Sequence, residues 1–293
     1  MMKPKRKKYG RSPMRSLEEL RIGQLNLDQK IRQYLVSWKP EVGDQVRKSL
    51  ELRAARDLNA ANLISRIQIA ESLTSNLQSH FQENHTRAVF FVTLISELHA
   101  VKVGGHEAYD LADHHKWIAS VLGGADYIGM IEVAYFSRVA FLTPQEDWLS
   151  WHAHLVVWNI DEKTLKKLKS AANSIEVAFQ PDGLPFHYRK ALPDNIEPEI
   201  VYLSKSPRSE YNPYYPRRPT APSGDADKSL TIPRLKPNKR EIRTGKLLAA
   251  LSALSDKSLK SLMVAGGEGI AIRNRSLKAA RRACKSLISK SNV

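Results

Sequence analysis

Apolar and polar positions change period several times along this chain, and each change marks an element. From Ser16, Leu20, Ile22, Leu25, Leu27, Ile31 and Leu35 recur at mostly helical spacing before Pro40, and Ser16 with Glu19 has the spacing of a capping box. Residues 43–84 contain no proline and are rich in Ala, Leu, Arg and Gln. Leu50, Leu58, Leu63, Ile67, Ile69, Leu73 and Leu77 predict two or three helices with a structural role. The period then shortens. Ala88 to Ile95, β-branched and aromatic, predicts a buried strand; Tyr109 to Leu122 predicts a helix stopped by Gly123-Gly124; Asp126 to Ser137 predicts a second strand. Trp151-His-Ala-His-Leu-Val-Val-Trp158 predicts a third strand, so the order is strand, helix, strand, strand.

Beyond it, 161–173 predicts an amphipathic helix, Ser174 to Phe179 a further strand, and Pro181-Asp-Gly183 a turn. Pro198 to Ser206 reads as a short helix with proline in its first turn, halted by Pro207. Residues 207–238, rich in proline, serine, arginine and tyrosine, read as a linker or arm. Helical periodicity resumes near Glu241, breaks at Gly266-Gly-Glu-Gly269, and resumes from Ser276 to Ser289.

Charge adds a second layer. Of the net +16, residues 1–15 and 271–293 each contribute seven Lys or Arg and no acid, leaving about +2 for everything between. Basic ends of this kind give salt-sensitive, sequence-independent attraction to nucleic acid, so Lys5, Arg6, Lys7, Lys8, Arg281 and Arg282 are candidate DNA contacts. Solvated tails that aid solubility are the alternative. No apolar run is long enough to span a bilayer, and the basic start leads into no apolar signal core, which excludes a membrane partner and implies a cytoplasmic protein. The single cysteine, Cys284, excludes a disulfide framework and a thiolate zinc cluster.

The candidate chemistry sits on the strands. Side chains alternate faces along a strand, so His152 and His154 point the same way, with Ala153, Leu155 and Val157 on the opposite, buried face. Two imidazoles side by side on a rigid strand are what a metal site needs. Glu132 interrupts an apolar strand, where an unpaired carboxylate is costly. If its strand lies beside the histidine strand, one Glu and two His converge on a divalent ion with coordination positions left open. A strand-end salt bridge is the alternative for Glu132, and Glu146 and Asp147 are competing carboxylates. Tyr202 and Lys205 are three apart on the short helix, hence one turn apart on one face. A tyrosine can act as covalent nucleophile, and a nearby cation can offset phosphate charge.

Phe90-Phe-Val-Thr-Leu94, Trp151-His-Ala-His-Leu155 and Tyr202-Leu-Ser-Lys205, in that order, resemble the three motifs of the HUH endonuclease superfamily, in particular its single-tyrosine rolling-circle replication initiators. The resemblance covers about residues 88–206. It implies an α+β fold: a central antiparallel sheet with flanking helices, the HUH/RRM-like palm, preceded by a helical segment and followed by a small helical module. The corresponding division is a basic tail at 1–15, helices at 16–85, a catalytic domain at 86–207, a proline-rich arm at 208–240 and a basic helical module at 241–293. The implied activity is nicking of single-stranded or hairpin DNA at a replication origin. His152, His154 and Glu132 would hold Mg²⁺ or Mn²⁺, Tyr202 would form a 5′-phosphotyrosine link, and Lys205 would steady the phosphate or the tyrosine. No nucleotide-binding loop is present, so a host helicase and a polymerase would complete replication. Tyr211, Tyr214 and Tyr215 lie beyond Pro207, which favours a single nucleophile.

A relaxase or transposase of the same superfamily, or a non-catalytic DNA-binding regulator, are the alternatives. A cupin-type enzyme would place Glu four or five positions after the second histidine, where Trp158 and Asn159 stand. A two-histidine phosphodiesterase needs a duplicated His-x-Ser/Thr motif that the chain lacks. His114, His115 and His187 read as surface or helix residues.

Overall fold

A computed structural model describes residues 14–105, 109–139, 145–180, 183–214 and 238–291. Lys5, Arg6, Lys7 and Lys8 lie outside them. The fold is α+β. A largely antiparallel sheet of seven described strands is built around β1 (Val89–Lys102), β2 (Asp126–Phe136) and β3 (Trp148–Trp158), with β4 (Phe186–Ala191) on the outer edge of β1. The order β4-β1-β3-β2 puts the histidine strand in the middle. Short strands border β2. β5 (Ser209–Tyr211) runs parallel to its end and carries β6 (Lys239–Glu241), and β7 (Met263–Gly266) pairs antiparallel with Tyr127–Met130.

Both faces of β3 are covered: from Leu149 to Trp158 only His152 retains appreciable exposure. Packed helices account for it. α1 (Leu17–Trp38), α2 (Asp44–Ser49), a 3₁₀ turn at Leu52–Asp57 and α3 (Leu63–Glu83) precede the sheet, and α3 packs against α6 (Glu197–Ser204) and α9 (Gly269–Ser291). α4 (Leu111–Val121) and α5 (Glu162–Ile175) join the strands, while α7 (Thr244–Ser255) and α8 (Leu259–Leu262) lead into β7. Apolar side chains of α1, α3, the sheet, α7 and α9 form one continuous core from Leu20 to Cys284. No helix among the described residues is long and apolar enough to cross a membrane.

Local chemistry explains the boundaries. Ser16 Oγ accepts from the Glu19 amide, the first half of a capping box. Glu19 completes no box, because its carboxylate takes the Arg15 amide. Asn62 caps α3 by accepting from the Ser65 amide. β2 and β3 approach so closely at Gly129 that a Cβ there would lie 2.1 Å from the His154 carbonyl oxygen, so glycine is required beside the second histidine.

Three elements depart from the sequence expectations. Ser174–Phe179 is not a strand: α5 runs to Ile175, and of the alternating residues Ile175 and Val177 are exposed while only Phe179 is buried. The fourth strand is instead Phe186–Ala191, where only the end residues are buried and Arg189 and Lys190 reach solvent, as at a sheet edge. The expected break at 266–269 is the end of β7, and α9 begins at once at Gly269 rather than at Ser276.

Candidate metal centre

The antiparallel pairing of β2 and β3 closes the twenty-residue separation between Glu132 and His152, which stand directly opposite each other. His154 stands opposite Thr93 on β1. Cross-strand partners share a face, so Thr93, Glu132, His152 and His154 converge. One ligand atom from each of Glu132, His152 and His154 lies within 4.8 Å of the others. The two imidazole Nε2 atoms are 3.1 Å apart, and Glu132 Oε2 is 3.8 Å from His154 Nε2 and 4.0 Å from His152 Nε2.

The hydrogen-bond partners orient these atoms. His152 Nδ1 faces the Ser150 carbonyl at 3.3 Å; a carbonyl only accepts, so Nδ1 carries the proton and Nε2 keeps its lone pair. His154 Nδ1 lies 2.9 Å from Thr93 Oγ1, its ring stacks on Phe91, and Tyr202 meets it edge-on at 4.8 Å. Burial, reinforced by the Lys205 charge, pushes His152 down to about 4. His154 is driven well below the ordinary histidine range by burial and then by His152. Both rings are therefore neutral near pH 7, the form that ligates metal. Burial raises the Glu132 carboxyl, and Lys205 and then Arg66 oppose that rise. Glu132 Oε1 is buried without a hydrogen-bond partner among the described residues. A carboxylate oxygen, Glu132 Oε2, beside two facing Nε2 atoms, with the other oxygen of the same group unpartnered, fits a divalent cation. The cluster could hold one, but a donor set of two histidines and a carboxylate does not select a particular ion.

Tyr202 and Lys205 also arrive here, though not as one helical face. Tyr202 is in the last turn of α6; Lys205 is the residue after it, in extended conformation. Lys205 Nζ donates to Glu132 Oε2 at 2.7 Å and to the Tyr202 carbonyl at 2.8 Å, and it sits 3.7 Å from the centroid of the Tyr202 ring. The lysine thus pairs with a candidate metal ligand. Burial, with Glu132 adding to it, lifts the Tyr202 phenol to about 12.

Two contributors escaped sequence reasoning. Arg66 of α3 is buried and donates to the carbonyls of Ala60 (2.8 Å), Lys205 (2.9 Å) and Ser204 (3.4 Å), tying down the end of α6. Lys239 stands opposite Tyr211 across β5 and β6, and its charge acts on Glu132, both histidines and Tyr202. The competing carboxylates are engaged elsewhere: Glu146 with Lys102, and Asp147 with Tyr135, Lys246 and the Arg138 amide. His187 is exposed and His115 half-buried. His114 is helical but fully buried, stacked on His99 with its Nδ1 2.6 Å from the Tyr109 hydroxyl. Arg281 and Arg282 are exposed on α9 and are not part of the metal cluster.

The fold and site define an α+β protein in which the central strand and its neighbour β2 together carry a buried carboxylate–histidine–histidine cluster flanked by a tyrosine and a lysine. No protein-family model, curated protein or solved structure matches the chain.

Proposed function

We propose that the chain is a metal-dependent single-strand DNA endonuclease that initiates rolling-circle replication through a covalent tyrosine intermediate. One observation carries the reading: three segments that resemble the superfamily's motifs converge, with Glu132, His152 and His154 within ligand distance of one another and Tyr202 against His154. The proposed ion is Mg²⁺ or Mn²⁺, which when bound would polarise the scissile phosphate and offset the charge that develops on it. His152 and His154 present neutral nitrogens, and Glu132 would offer the oxygen that faces them, Oε2, which Lys205 holds in this structure. Tyr202 attacks phosphorus: the tyrosyl O–P bond forms, the P–O3′ bond breaks, the phenolic proton passes to solvent, and the departing 3′ oxygen takes up a proton. One phosphodiester replaces another, so no nucleotide energy source is required, and the free 3′-hydroxyl suits extension by a polymerase. Arg66 holds the α6 end that carries the nucleophile.

The test is a random-sequence pool of 3′-labelled single-stranded oligonucleotides incubated with the protein and Mn²⁺, followed by denaturing electrophoresis. The expected result is a labelled protein–DNA adduct, lost in Tyr202→Phe while Mn²⁺ binding persists. An adduct that survives Tyr202→Phe, or none with the unaltered chain, refutes the reading.

The Lys205–Glu132 ion pair favours a second reading, a non-catalytic DNA-binding regulator, because it neutralises the carboxylate without a metal. That reading expects no adduct and DNA binding indifferent to substitution of His152 and His154.

A further inference from the structure

An open groove of about 380 Å³ lies between α8 and α9, away from the carboxylate–histidine cluster in its lining residues. Five cations line it, Lys260 from α8 and Lys278, Arg281, Arg282 and Lys285 from α9, together with Asn274. All five are exposed, and none has an acidic partner among the described residues. From Gly269 onward the chain contains no Asp or Glu at all. Lys278, Arg281, Arg282 and Lys285 recur at three-, four- and seven-residue intervals, so they line one side of α9 over two turns. That face is gathered and uncompensated: the buried face of the helix, with Ile272, Leu277, Ala280 and Cys284, is anchored in the core and holds the cations in a fixed row.

The lining selects among polyanions. Protein interfaces are centred on buried aromatic or aliphatic anchors, and membrane-surface helices carry bulky apolar side chains opposite their charge; apart from Leu277 the groove offers neither. Single-stranded nucleic acid is held by aromatic platforms that stack bases, and no aromatic residue lines this groove. What remains is contact with the phosphate backbone, and a duplex presents it at about one charge per 1.7 Å. We infer that the α8/α9 groove seats the phosphate backbone of double-stranded DNA without reading its sequence. The inference deepens the DNA reading above by giving the chain a duplex seat separate from the cluster proposed to cut a single strand.

The experiment uses the full chain in EDTA, which silences metal chemistry, and fluorescence anisotropy with a random-sequence duplex and a single strand, each of about 20 positions, between about 50 and 200 mM salt. The test variant is K278Q/R281Q/R282Q/K285Q, with R281Q/R282Q as a milder companion. Removing four phosphate contacts lowers the slope of log affinity against log salt by about 3 to 4, and removing two lowers it by about 2. Single-strand affinity changes far less than duplex affinity, and Mn²⁺ binding is unchanged. An unaltered duplex slope in both variants, or equal losses for duplex and single strand, overturns the inference. A failure of the nicking reading appears separately, as absence of the covalent adduct with duplex binding intact.

Discussion

Lys205→Met tightens divalent metal binding at the Glu132–His152–His154 cluster, because the lysine holds an oxygen that an ion would use. Lys205 Nζ is 2.7 Å from Glu132 Oε2, and both groups are largely shielded, with side-chain exposures of 20% and 7%. Two unit charges 4 Å apart interact by about 4 kcal/mol at an effective dielectric near 20, so an ammonium on the carboxylate that binds a divalent ion is strongly disfavoured and has to swing away. The minimum cost of that movement is the charge-assisted hydrogen bond to Glu132, worth about 1.5–3 kcal/mol net. Methionine removes this cost while keeping an unbranched side chain of similar length beside Tyr202. At 1.4 kcal/mol per decade, Mn²⁺ affinity rises about 10- to 100-fold. One opposing effect is controlled by pH. Burial raises the Glu132 carboxyl and Lys205 is the largest influence against it, so the variant carboxyl rises further. Titration at two pH values separates proton competition, which weakens as pH rises, from release of the ion pair. Isothermal titration with Mn²⁺ measures the change directly, and equal or weaker binding by Lys205→Met refutes the competition. The same variant separates two roles: if Lys205 also steadies phosphate during nicking, adduct formation falls while metal affinity rises.

Arg66→Met removes the donor for the carbonyls of Ala60, Ser204 and Lys205. At about 1–3 kcal/mol for each buried acceptor left unpaired, it destabilises by roughly 3 kcal/mol or more in urea unfolding; a loss below about 1 kcal/mol would show that α6 is held by packing alone. Gly129→Ala forces a methyl against the His154 carbonyl, and overpacking of this kind costs about 3 kcal/mol, seen as a lowered melting temperature together with weakened Mn²⁺ binding. An unchanged melt contradicts the close approach of β2 and β3. Acid destabilises the fold through His114, which burial pushes from 6.5 down to about 2. Below pH 6.5 the unfolded chain binds a proton on this imidazole that the folded chain refuses, so stability falls as pH drops. Between pH 7.5 and 5 this one group costs about 2 kcal/mol. Chemical denaturation at the two pH values should show a smaller difference for His114→Asn, and an equal one rejects the assignment.

The same physical signal, a charge inside an apolar pattern, exposed one half of this site and hid the other. Glu132 stood out because the strand around it is apolar on both sides, so a carboxylate there demanded a partner. Arg66 makes an equivalent demand three positions after Leu63 and four before Ala70, on the buried side of α3. Its helix is studded with polar residues, and arginine is an ordinary helix former, so the background swallowed the signal. Strand β3 was legible because β-branched and aromatic residues crowd into eight positions. Strand β4 was not, because an edge strand buries little: between Phe186 and Ala191 its side chains are exposed or half-buried. β7 is four residues long and draws its stability from pairing with β2 rather than from local propensity. His114 sat in a helix recognisable as such, but its burial depends on His99 and Tyr109, which a helical pattern does not report. Tyr202 and Lys205 show where local spacing stops being informative. The helical turn from Tyr202 to Ser204 brings the two to one side of the chain although Lys205 itself leaves the helix, so their proximity was readable. The partner of Lys205 was not, because the Glu132 contact spans 73 positions and depends on Arg66 fixing the end of α6 above β2. The role of the lysine therefore changes from a group aimed only at phosphate or tyrosine to one that first occupies the carboxylate, and this makes metal affinity, rather than nicking rate, the more direct measure of what Lys205 does.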